Sequence, residues 1–137
     1  MGGRGTFAAG NPVPYQYCID TSFSPSGTWE GVKILKGTGN KHGLPESSHS
    51  SLAYIKLDHN GRFKEMRLYD KNHCLYFEIG YHAEKGVDKS GKPVLHYHTY
   101  DSSFSRSKIG DGGRSKAKKL TKAMRKHFRK YFKGVMT

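Results

Sequence analysis

His96 and His98 stand two residues apart in the run Val94-Leu95-His96-Tyr97-His98-Thr99-Tyr100. On a strand, residues two apart share one face, so the two imidazoles are expected side by side. An imidazole titrates near pH 6.5 and can give or take a proton in neutral solution. Such a pair on a basic chain is suited to acid–base chemistry on a polyanion. A metal site and plain surface histidines are the competing readings.

Alternation identifies the elements that would position them. Residues 52–57, 63–69, 75–82 and 94–100 read as strands, with 32–35 as a short fifth. Asp58-His59-Asn60-Gly61 carries the Asn-Gly pair that favours a tight hairpin, and Asp70-Lys71-Asn72-His73 is also turn-like. Ala117, Leu120, Met124, Phe128 and Tyr131 recur at three- and four-residue steps, which predicts an amphipathic helix over about 114–133 that stops at Gly134. The expected fold is α+β: an antiparallel meander of four to five strands over about 52–100, with that basic helix packed on one face. Residues 1–28, rich in Gly, Pro and Ser, read as a flexible arm, and 29–137 as a single domain.

Each strand splits into two faces. Ile55, Leu57, Met66, Leu68, Leu75, Phe77, Ile79, Leu95 and Tyr97 form an apolar set expected to meet the helix. The opposite set holds Tyr54, Lys56, Glu65, Arg67, Tyr69, Tyr76, Glu78, His82, His96, His98 and Tyr100. A solvated sheet face is ordinarily polar, but three histidines at adjacent strand ends favour a site. Metal-independent RNA cleavage needs a base for the ribose 2′-hydroxyl, an acid for the 5′-oxygen and a cation for the phosphate. His96 and His98 suit the acid–base work, Glu78 the base, and Arg67 the phosphate. His82 is a further candidate. So are His42 and His49, which lie in the loop 37–51 just before the sheet. Tyr76 and Tyr100 are suited to orienting phosphate or stacking on a base.

The chain has 137 residues, with 24 Lys+Arg against 11 Asp+Glu and a formal net charge of +13. The charge is uneven. Residues 114–133 hold ten cations and no anion: Arg114, Lys116, Lys118, Lys119, Lys122, Arg125, Lys126, Arg129, Lys130 and Lys133. Like charges at such density repel unless a phosphate backbone is the partner, so nucleic acid, RNA above all, is the expected ligand. Lys56 joins this set from the sheet. Only 34% of residues are hydrophobic, and no apolar run reaches membrane-spanning length, so no membrane partner is expected. Cys18 and Cys74 have no metal or redox spacing and read as reduced thiols of a cytoplasmic protein. No cofactor is expected. Zinc on His82, His96 and His98 is a lesser alternative, because neither a helical His-Glu-x-x-His nor a Cys pair is present.

The segments His-Gly-Leu-Pro-Glu-Ser-Ser-His (42–49), Tyr-Ile-Lys-Leu-Asp (54–58), Arg-Leu-Tyr-Asp (67–70), Glu-Ile-Gly-Tyr-His (78–82) and Leu-His-Tyr-His (95–98) resemble small phage- and prophage-encoded proteins of bacteria. The layout is similar to the barnase–EndoU–colicin-type RNase fold of toxin domains, although here the clear helix follows the sheet. That resemblance implies RNA cleavage without metal in a bacterial host cytoplasm, with Glu78, Arg67 and His96 or His98 as carried-over candidates. The alternative is a non-catalytic phage protein that binds nucleic acid or a host ribonucleoprotein, for example an inhibitor of a host defence complex of the CRISPR type.

Overall fold

Strand alternation and the turn residues build most of what was expected, on a wider sheet. The computed structural model describes residues 23–37, 44, 48, 51–101 and 113–136. Among them seven strands form one sheet in chain order: β1 (Phe23–Trp29), β2 (Val32–Gly37), β3 (Ala53–Leu57), β4 (Phe63–Tyr69), β5 (Leu75–Ala83), β6 (Pro93–Thr99) and β7 (Lys118–Lys119). The helix α1 (Lys122–Phe128) follows, with a 3₁₀ turn over Arg129–Tyr131.

The sheet is mixed, which corrects the all-antiparallel meander. β2 and β3 run parallel, with Lys33 opposite Tyr54 and Ile34 opposite Ile55. A tight turn can only reverse a chain, whereas the long connection over 38–52 lets it return in the same direction. β1 is a strand within what reads as the arm. It pairs with β2 through Glu30-Gly31, both at positive φ.

The C-terminal segment also differs from its expected form. Residues 114–120 are not helical: Arg114 bridges Tyr100, and β7 pairs with β6 through His96 opposite Lys119 and Tyr97 opposite Lys118. The helix starts only after Thr121, whose hydroxyl accepts the Met124 N–H at 3.1 Å. A Thr cap satisfies an otherwise orphaned helix donor, so it marks a start and not an interior. The apolar steps hold from Leu120 onward, and Ala117 lies outside the helix.

One straight row crosses the sheet through Ile34, Ile55, Met66, Ile79 and Tyr97. It packs with Phe63, Leu120 and Phe132, with Met124, Phe128 and Tyr131 alongside. Each fully buried side chain of this kind contributes ~1.5–3 kcal/mol by leaving water. The tail is anchored by Phe63 N–H to Lys133 C=O at 2.7 Å and by Trp29 Nε1–H to Lys130 C=O at 2.9 Å. Leu75 is not in this layer. A register shift between Leu68 and Tyr69 places Leu75 opposite Tyr69, in a second cluster with Leu35, Leu44, Tyr54 and Tyr100. The same shift leaves Tyr76 exposed.

Candidate active site and nucleic-acid interface

Two rows flank the apolar one on the opposite face. One contains Lys33, Tyr54, Arg67, Glu78 and His98. The other contains Lys56, Glu65, Gly80, His96 and Lys119. Arg67, Glu78 and His98 therefore share a face, as alternation implies, and the register makes them successive cross-strand neighbours. The face is not solvated, however. Leu44, 1% exposed, sits against it: its N–H donates to Glu65 Oε1 at 2.9 Å and its C=O accepts from Arg67 Nη1 at 2.6 Å.

Under that cover the charges are committed to one another. Arg67 lies 3.4 Å from the Glu78 carboxylate and 3.8 Å from that of Glu65. The Tyr100 hydroxyl donates to Glu78, and Arg114 Nε donates to that hydroxyl at 3.1 Å. Arg67 is 6% exposed and Glu78 3%. Burial alone would raise the Glu78 pKa, but Arg67, the Tyr100 and Glu65 hydrogen bonds and Arg114 outweigh it and hold the carboxyl well below the usual range. Glu78 and Arg67 are thus engaged with each other and with Glu65, Tyr100, Arg114 and the Leu44 carbonyl, and are about as buried as their neighbour His98, which is 5% exposed. A buried ion pair of this kind is structural unless a path reaches it.

Glu65 has the opposite shift. Burial, then repulsion from Glu78, pushes it up to about 7, with Arg67 only partly opposing. The folded state therefore keeps a proton that the unfolded chain releases near pH 4.5. Stability from this group is complete below that unfolded value and is lost as pH rises to about 7. Glu65→Gln retains an acceptor for Leu44 and a donor toward Glu78, so it mimics the protonated form. Urea unfolding at several pH values should find the variant no more stable than wild type at pH 4.5 and clearly more stable above pH 7. A difference that does not change with pH would refute the shift.

The histidines lie beyond this network, toward the β5–β6–β7 end. His82 and His96 have ring centroids 4.5 Å apart, and His96 and His98 5.6 Å apart, each pair nearly perpendicular. The Nδ1 atoms of the three rings meet the carbonyls of Ala83 at 3.0 Å, Val94 at 2.8 Å and Ser115 at 2.9 Å. A carbonyl can only accept, so each Nδ1 carries the proton and a neutral ring keeps its lone pair on Nε2. His96 is fully buried, and its Nε2 has no hydrogen-bond partner among the described residues. Burial lowers its pKa. Gly80 makes the space: a Cβ there would meet His96 Nε2 at 3.0 Å and His82 Nε2 at 3.2 Å.

A cleft of about 440 Å³ opens beside them, lined by Glu84, Gly86, His98, Arg114, Ser115, Lys116 and Ala117. Glu84 is the residue that reading the sequence overlooked. The signal was available, since Glu78, Gly80, His82 and Glu84 follow one another at the two-residue period of β5. The strand ends at Ala83, so alternation does not extend to Glu84 by itself. Carboxylate, imidazole and guanidinium thus line one cleft.

The cations continue outward from this cleft. Lys116, Lys118, Lys119, Lys122, Lys126, Arg129 and Lys130 are exposed, while Arg114, Arg125 and Lys133 are partly covered. Arg125 donates to the Leu120 carbonyl at 3.1 Å, and Lys133 lies 5.0 Å from the Trp29 ring centre. Lys56 is partly buried beside Glu65, where burial lowers its pKa. His42, His49 and Cys18 lie outside the described residues. Cys74 is partly buried, and its Sγ lies 3.7 Å from the Asn72 carbonyl.

Fold and site together define an α+β domain whose mixed sheet ends in a cleft of histidine, glutamate and arginine. No protein-family model, curated protein or solved structure matches the chain. No helix among the described residues is long and apolar enough to cross a membrane.

Proposed function

We propose that the chain is an RNA-binding, metal-independent endoribonuclease, with Glu84 and His98 as the acid–base pair and Arg114 as the phosphate cation. The observation that carries this reading is that all three, with Lys116, line one cleft at the head of the basic segment. Glu84 takes the proton from a ribose 2′-hydroxyl, and the oxygen attacks the adjacent phosphorus. His98, protonated on Nε2, gives its proton to the departing 5′-oxygen, leaving a 2′,3′-cyclic phosphate and a free 5′-hydroxyl. Arg114 faces the charge that grows on the phosphate oxygens. His96 packs against His98 and fixes its ring, while Glu78 and Arg67 hold Tyr100 and Arg114 in place. The resemblance to phage-encoded proteins supports a setting in the cytoplasm of a bacterial host.

The test is incubation of the purified protein with total RNA, with and without EDTA. Cleavage that persists in EDTA and is abolished in the folded His96→Ala/His98→Ala double variant is the expected result. Unchanged cleavage by that variant would refute the assignment. A second reading, a non-catalytic binder of nucleic acid or of a host ribonucleoprotein, is favoured by the ten-cation run without an anion. It expects RNA retention without cleavage, lost when Lys119, Lys122, Arg125 and Lys126 are reversed to Glu.

A further inference from the structure

Beside the cleft, His82, Glu84 and His96 each offer one ligand atom, and the three atoms lie within 4.8 Å of one another. We infer that these three residues form a binding site for a divalent transition metal, zinc in the first instance, and that its occupancy switches the proposed ribonuclease off. The regulatory half rests on the function proposed above; the metal site itself does not.

Four features point to a metal. Both imidazoles have Nδ1 tied to a backbone carbonyl, the outer contact that orients a metal-bound histidine and leaves Nε2 as the ligand. His96 Nε2 is buried and unpartnered among the described residues, so it pays the cost of desolvation with nothing in return. Gly80 lies beneath both Nε2 atoms and leaves open the volume that any side chain there would fill. Finally, the donor set is two imidazoles and one carboxylate, which suits zinc and its neighbours and not the oxygen-preferring calcium or magnesium. Metal–ligand bonds of about 2.1 Å place tetrahedral ligand atoms about 3.4 Å apart, so small rotations of His82 and Glu84 close the site.

The consequence for catalysis follows from Glu84. A carboxylate bound to zinc is a much weaker base, because the cation stabilises the ionised form that would have to take up the 2′-hydroxyl proton. Metal binding therefore removes the base without touching Arg114 or the basic segment, so RNA remains bound while its cleavage stops.

The test uses EDTA-stripped, dialysed full-length protein titrated with zinc chloride in a calorimeter, and with cobalt(II) followed by its visible absorption. One metal per chain is expected, together with a tetrahedral cobalt band. His82→Ala and Glu84→Gln should each weaken zinc binding by roughly 100-fold, and His98→Ala by less than about threefold. His82 is exposed, so its variant should fold; thermal unfolding checks this. No binding, or binding indifferent to His82→Ala and Glu84→Gln, would overturn the site, whatever the protein does to RNA. Loss on His98→Ala with retention on Glu84→Gln would overturn the ligand set. In parallel, RNA cleavage should fall in proportion to zinc occupancy while RNA retention is unchanged. Zinc that binds and accelerates cleavage would overturn the off-switch. Zinc that binds a protein without cleavage in EDTA would support the site and refute the ribonuclease.

Discussion

Glu84→Gln should lower RNA cleavage by about 100- to 10,000-fold, the range a positioned acid or base contributes, with the urea midpoint unchanged. Glu78→Gln should do the reverse to stability: it removes the charge that Arg67 and Arg114 face across 3.4 Å and 3.9 Å. The two carboxylates stand six residues apart, Glu78 within β5 and Glu84 just beyond its end, and differ in their surroundings. Glu78 is covered, ionised and held by Arg67, Arg114, Tyr100 and Glu65. Glu84 lies on a cleft wall with a cation and an imidazole opposite. Cleavage rates and urea titrations on the same preparations separate the two roles. If Glu84→Gln retains full cleavage while Glu78→Gln loses it with its stability intact, the assignment is backwards.

Arg67→Met should destabilise the fold by ~3–5 kcal/mol, the cost of breaking a buried charge pair on one side. The guanidinium reaches Glu78, Glu65 and the Leu44 carbonyl at once. Removing it leaves Glu78 buried beside Glu65 without its main counter-charge, and it frees the contact that seats Leu44 over the sheet. Lysine is no substitute, because its three donors sit on one nitrogen, whereas Arg67 reaches its partners from three separate nitrogens of a planar fork. Urea unfolding of Arg67→Met, Glu78→Gln and the double variant gives the coupling. The double variant should lose much less than the sum of the single losses, since each single change strands the other charge. Additive losses, or a loss below about 1 kcal/mol for Arg67→Met, would show that the pair is not what seats the face.

Strand periodicity carried the centre of the sheet. The runs 52–57, 63–69, 75–82 and 94–100 correspond to β3 to β6; the turn between β3 and β4 closes through Gly61 N–H to the Asp58 carbonyl, with Gly61 at φ 77° following it and Asn60 not at positive φ. Period-two counting also puts Arg67, Glu78 and His98 on one face, and the register sets them in one row. What it does not encode is what lies above a face. Leu44 sits in a polar stretch with no period, yet its two backbone groups and its side chain turn an apparently solvated surface into an interior. The shift at Leu68 and Tyr69 is equally silent, since a single irregular pair exchanges Leu75 and Tyr76 without altering the pattern around them. In the tail, the helical stripe and the strand overlap at Leu120. Pairing with β6 decides for strand up to that residue, and the Thr121 cap decides for helix after it.

β7 is held to the sheet through only two residue pairs, and it is the piece that joins the cation-bearing segment to the strand carrying His96. Such a short outer strand is among the first parts of a sheet to peel away. A polyanion lying along Lys116, Lys118, Lys119 and Lys122 would bridge the strand and the helix behind it. The ligand would then act as a brace as well as cargo: its grip keeps closed the edge whose fraying would unseat the imidazoles and Arg114.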